Sequence, residues 1–125
     1  MNAHAALKSY LKNEVTACVE NESPEKLILM LLQKGCVLLK QAKTHLDSDS
    51  IEPFHEATTH CMQIVVALRG LLDFEGGGEV AIQLATTYDS INASIFKAKR
   101  ERSGADLEKL YLALSELKEA WGTLR

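Results

Sequence analysis

The sequence predicts an all-α fold, an antiparallel up-down four-helix bundle with a short N-terminal helical arm. Three observations carry that prediction. Apolar residues recur at steps of three and four over four long segments separated by turn-forming residues. No alternating apolar–polar stretch is long enough for a strand. The chain has 125 residues, of which 46% are hydrophobic and 25% charged, which suits one domain with one real core.

Residues 1–22 read as an arm that packs on the bundle formed by residues 23–125. In the arm, Ala3, Ala6, Leu7, Tyr10 and Leu11 are spaced for a short amphipathic helix. Alone it would be marginal, because helices this short need a surface to pack on. The bundle opens at Ser23-Pro24-Glu25, where serine can cap free N–H groups, proline suits the first helical position and glutamate favours the positive dipole end. Leu27, Ile28, Leu31, Gly35, Leu38, Leu39, Ala42 and Leu46 mark the inward face of the first helix. Asp47-Ser48-Asp49-Ser50 ends that helix and caps the second, whose inward face runs from Phe54 through Ala57, Cys61, Ile64, Val65 and Leu68 to Leu71 and Leu72. The glycines at 76–78 permit a tight reversal. The third helix then shows Val80, Leu84, Tyr88, Ile91, Ile95 and Ala98. Gly104 is expected to end it and Asp106 to cap the fourth helix. There Leu107, Leu110, Leu114, Leu117, Trp121 and Leu124 form an a/d seam.

Composition excludes several functions. The net charge of −3 gives no field to attract nucleic acid or an anionic membrane. The longest nearly apolar run, Leu27 to Leu39, is broken by Gln33 and Lys34 and falls short of the roughly 20 residues that span a bilayer. Residues 1–8 lack the basic-then-apolar pattern of a secretory signal. The three cysteines, Cys18, Cys36 and Cys61, sit among apolar residues without C-x-x-C spacing and read as reduced thiols. A cytosolic protein is expected.

Enzyme-like leads are thin. Glu52 and His55 form one E-x-x-H, whereas a di-iron bundle needs two copies and further inward carboxylates. His55 and His60 diverge too far around a helix to share a zinc ion. The glycine run lacks a P-loop pattern and is flanked by Glu75 and Glu79, which repel an anion. Lys97 to Arg102 is a basic helix end without interleaved aromatic residues. The expectation is no enzyme, metal or cofactor.

What remains is surplus apolar surface. Between Ile28 and Leu39, nine of twelve residues are apolar, and one inward stripe leaves Leu29, Leu32, Cys36 and Val37 over. The second helix adds Met62 and Val66. Such positions need a cover: the arm, a partner's helices laid in a groove, or a second copy.

Five segments carry a resemblance. Ser23-Pro24-Glu25-Lys26-Leu27-Ile28-Leu29-Met30-Leu31 and the run from Leu68 to Ala81, similar to L-R-x-x-L-D-x-E-x-G-G-E-I-A, are two of them. Tyr88-Asp89, the L-x-x-A-W at Leu117–Trp121, and Tyr10, Asn13 and Val15 of a Y-x-x-N-x-V complete the set in order. Together they resemble the flagellin-export chaperone family FliS along nearly the whole chain.

The resemblance implies a non-enzymatic cytosolic chaperone that binds the disordered C-terminal region of flagellin. It would prevent premature polymerisation and keep its client competent for flagellar type III secretion, with export-gate components as further partners. It also implies that Tyr10, Asn13 and Val15 lie near the binding surface, to which periodicity adds Leu7 and Leu11. The expected binding or arm-masking surface is therefore Leu7, Tyr10, Leu11, Asn13, Val15, Leu29, Leu32, Cys36, Met62 and Val66. A monomer or weak homodimer is expected. Leu32-Gln33-Lys34 replaces the family's Y-D-G, and the junction from Thr16 to Pro24 is longer than usual. The alternative is thus a paralogous helical docking module with another client, or a permanent structural dimer.

Overall fold

The computed structural model describes residues 23–123, and the arm residues Leu7, Tyr10, Leu11, Asn13 and Val15 lie outside them, as does Leu124. Four helices follow in order: α1 Pro24–Asp47, α2 Ile51–Gly70, α3 Phe74–Glu101 and α4 Gly104–Thr123. There is no strand among the described residues. Connections of two or three residues force neighbours to run antiparallel. Helix α1 packs against α2 and α4, and α3 packs against the same two, so the helices close a ring. The α3–α4 contact is the thinnest of the four.

The helix ends obey capping chemistry, with the expected residues in part reassigned. The Ser23 side chain accepts from the Lys26 N–H at 3.3 Å, with Pro24 next in line. Ser50 occupies the position before α2 but makes no side-chain cap bond. At the last junction it is Arg102, not Gly104, that takes the left-handed conformation ending α3, with φ of 52°. Ser103 rather than Asp106 caps α4, accepting from the Asp106 N–H at 3.1 Å. Gly104 is already helical.

The glycine-rich segment is more than a turn. Asp73 accepts from the Gly76 N–H at 2.9 Å and starts a helical turn at Phe74. Gly78 then breaks the register, with φ of 51° and ψ of −125°. Beyond that break the inward residues are Ala81, Ala85, Tyr88, Ile91, Ile95 and Ala98. Val80, expected inward, is 63% exposed, because the register set after Gly78 turns Ala81 to the core instead.

The core fills the ring. Leu31, Phe54, Ile64, Ile95, Leu107 and Leu114 are fully buried. Gly35 lies where α1 meets α2 and α4: its carbonyl accepts from the Cys61 thiol at 3.6 Å. A Cβ at Gly35 would stand 3.1 Å from Leu114 Cδ1. Thr58, a buried polar residue of α2, bonds its hydroxyl to the carbonyls of Phe54 and His55.

Candidate docking surface

Two seams on the outside of the ring are held by polar contacts. Between α1 and α4, the Trp121 indole N–H donates to the Glu25 carbonyl at 3.1 Å, and Lys118 Nζ donates to Gln33 Oε1 at 2.7 Å. Further along, Lys40 stands 4.8 Å from the centre of the Tyr111 ring. Between α2 and α3, Arg69 Nε donates to Asp89 Oδ1 at 2.8 Å and Asn92 Nδ2 to the Met62 carbonyl at 3.2 Å. Lys99 Nζ closes the third rung on Thr59 Oγ1 at 2.6 Å.

These seams sort the expected surface residues. Leu32 and Cys36 are 1% and 4% exposed and belong to the core. They are not left over, because α1 serves two neighbours, α2 and α4, and needs an apolar arc wider than one stripe. Leu29 is half-buried, four residues from the Gln33 rung. Met62 is half-buried and Val66 is 61% exposed, both on the α2–α3 side. The α1 and α2 members therefore do not share one patch.

Burial also decides the fate of the thiols. Cys61 is pushed up to about 12 by burial, with neighbouring Cys36 adding to the shift. Burial raises Cys36 as well, although the Lys118 ammonium works against it. A thiol held above its ordinary value is a poor nucleophile at neutral pH and serves as packing. Glu52 is exposed in the first turn of α2. Among the described residues no three His, Cys, Asp or Glu side chains gather as a metal group. No helix among them is long and apolar enough to cross a membrane.

The α2–α3 seam carries something the sequence reading missed. Six large apolar side chains stand exposed among the described residues, and four of them are on α3: Phe74, Val80, Ile82 and Phe96. Ile82 lies seven residues before Asp89 and Phe96 seven after it, so both share the face that Asp89 turns toward Arg69. The full outward series is Glu79, Ile82, Thr86, Asp89, Ala93, Phe96 and Arg100, in alternating steps of three and four. That is a second a/d seam, directed outward. On α2, His55, Thr59, Met62, Val66 and Arg69 repeat the same steps. From the Arg69–Asp89 rung to the Thr59–Lys99 rung the two series flank a valley with the exposed Val66 and Phe96 beside it, whereas Ile82 lies two turns before Asp89, past the end of α2 at Gly70. A helix laid there would find knobs at the spacing of its own turns. The signal was available in the sequence as this second periodicity, but its charged and small members disguised it as an ordinary polar face.

A sequence model of the family described as Flagellar protein FliS matches residues 3–125. The chain belongs to the FliS family. Similar relatives include the flagellar secretion chaperone FliSB of Pseudomonas aeruginosa, 30% identical over 121 residues, covering 97% of this chain and 96% of that one. The flagellar secretion chaperone FliS of Salmonella typhimurium is 29% identical over 122 residues, covering 97% and 90%. That of Vibrio cholerae is 28% identical over 116 residues, covering 93% and 85%. Within this FliS chain the family-like motifs link helices. The Arg69 of L-R pairs with the Asp89 of Y-D, and the final Trp bonds back to the S-P-E start of α1.

Proposed function

We propose that this FliS chain is a flagellar secretion chaperone that captures the C-terminal region of flagellin in the cytosol. It holds that region unpolymerised and competent for flagellar type III export. What supports this reading is the exposed apolar surface beside the α2–α3 rungs, Val66 and Phe96 with Ile82 further along α3, which a client helix would cover. A client segment that is disordered when free gains helix and buries apolar surface there, which offsets its ordering cost. In the free protein the arm, through Leu7, Tyr10, Leu11, Asn13 and Val15, masks apolar positions that the client later covers. Leu29, half-buried on α1, is a separate masked position away from the α2–α3 side.

The test is binding of a fluorescent peptide from the C-terminal region of the same organism's flagellin. Val66→Glu and Phe96→Glu should each weaken it roughly tenfold or more, as loss of a central apolar anchor does. Leu112→Glu, on the 54% exposed outer side of α4, should leave it unchanged. Equal effects at all three positions would contradict the valley. Loss of the exposed patch into a dimer that persists at saturating peptide, seen by sedimentation, would favour the structural-dimer alternative.

A further inference from the structure

The outward face of α3 is complementary to itself when reversed. Its series begins with acidic Glu79 and apolar Ile82 and ends with apolar Phe96 and basic Arg100. Turned end over end about Asp89, Glu79 meets Arg100, Ile82 meets Phe96 and Thr86 meets Ala93. Every one of these residues is exposed. A contact between two copies across a twofold axis needs this pattern, because the axis sets one residue of the first copy against a second residue of the other, and the reverse. The centre of the face also suits a close approach of two helices, since Thr86, Ser90 and Ala93 are small. Asp89 would lie near the axis and oppose its own copy, but Arg69 Nε donates to it at 2.8 Å and neutralises it. At the basic end, Arg100 stands 5.9 Å from the centre of the Phe96 ring. Its ion pair with Glu101 is long, 3.7 Å, and solvated, so the guanidinium can turn to a carboxylate brought alongside.

We infer that two copies of this chain associate through α3, antiparallel about a twofold axis near Asp89. Glu79 of each copy then lies against Arg100 of the other, and Ile82 against Phe96, along about 32 Å of helix. The end of α2 at Gly70 agrees with this arrangement. That helix flanks α3 from the Asp89 rung to the Lys99 rung and leaves the half from Glu79 to Thr86 unflanked. In the reversed pairing, the unflanked half of each copy meets the flanked half of the other, so the two α2 helices stand at opposite ends and do not collide. Two helices meeting on one face make an interface at the low end of the specific range, so the pair is weak and reversible. The apolar residues involved are those assigned above to the client, so client and second copy exclude each other, but the pairing itself does not rest on that reading.

The experiment is sedimentation equilibrium of the full chain at low salt, without any client. Glu79→Arg and Arg100→Glu each put like charges together at both ends of the pair, and each should weaken self-association roughly fivefold to thirtyfold. Both positions are exposed, so the fold is retained. Mixed in equal amounts, the two variants present opposite charges at both ends and should associate with each other more tightly than either does with itself. The double variant should return to the unmodified affinity, and the differences should shrink as salt is added. Ile82→Glu should abolish association at every salt concentration. A chain that stays monomeric at all concentrations overturns the inference. So does a mixture that associates no more tightly than its two components apart, because the two ends then do not meet. With no client present, failure here leaves the capture of flagellin standing, and a flagellin peptide that does not bind leaves the pairing standing.

Discussion

At Gly35 an added Cβ would stand 3.1 Å from Leu114 Cδ1 and 3.7 Å from Ile64 Cγ2, so α1, α2 and α4 pack as closely as glycine allows. Leu114→Ala should cost about 2–5 kcal/mol by leaving a cavity. Gly35→Ala should cost about 1–3 kcal/mol by crowding, partly offset by about 1 kcal/mol of better helix propensity. In the Leu114→Ala background the crowding is relieved, and the same glycine substitution should become neutral or stabilising in urea unfolding. Strict additivity would show that the two sites do not share space. The buried thiol makes a second residue-scale prediction. Cys61 has an ordinary value of 9.0 and a folded value of about 12, so the unfolded chain loses this proton first. Its contribution is fully present below pH 9 and falls as pH rises toward 12, by up to about 1.4 kcal/mol per pH unit. Burial shifts Cys36 and Tyr88 in the same direction. Cys61→Ala should flatten the alkaline decline of the urea midpoint; an unchanged slope would contradict the assignment. Gly35 was legible as inward from its place in the three-four pattern. Leu32 and Cys36 were not, since counting one stripe per helix ignores the second neighbour that covers them.

Among the elements, α3 departs most from its sequence reading. Its core register follows Gly78, whose backbone conformation no side-chain pattern reveals, and so Val80 was assigned inward when Ala81 and Ala85 hold that face. A Cβ at Gly78 meets nothing within 4 Å, so the cost of Gly78→Ala should be backbone strain alone, about 1–3 kcal/mol. Gly70 is equally open but has no positive φ, and Gly70→Ala should be neutral or stabilising by up to about 1 kcal/mol. Thermal unfolding of the two variants checks the contrast, and equal effects would remove the special role of Gly78. The caps illustrate the same limit. Ser23 was readable because proline and glutamate follow it, whereas Arg102 in a left-handed cap defies the preference for glycine one position on. The Arg69–Asp89 pair is legible only as two separate motifs until the helices are docked. With its side chains 44% and 60% exposed, it orients α2 against α3 and contributes little stability.

For the whole molecule, the four helices and their antiparallel order followed from apolar spacing and short connections. The exposed apolar residues on the outward face of α3 did not, because that face mixes Glu79, Thr86, Asp89, Ala93 and Arg100 with only two large apolar residues. Such a series looks solvated until Val66 is seen across the rungs. Membership of the FliS family and the open valley together support capture of a helical client. The most direct measurement is titration calorimetry, at several temperatures, of the full chain with the C-terminal segment of its own organism's flagellin. Saturable binding with a negative heat-capacity change, accompanied by helix gained in circular dichroism, is the predicted result. A folded bundle that releases no heat at any temperature and leaves the segment disordered would contradict the account.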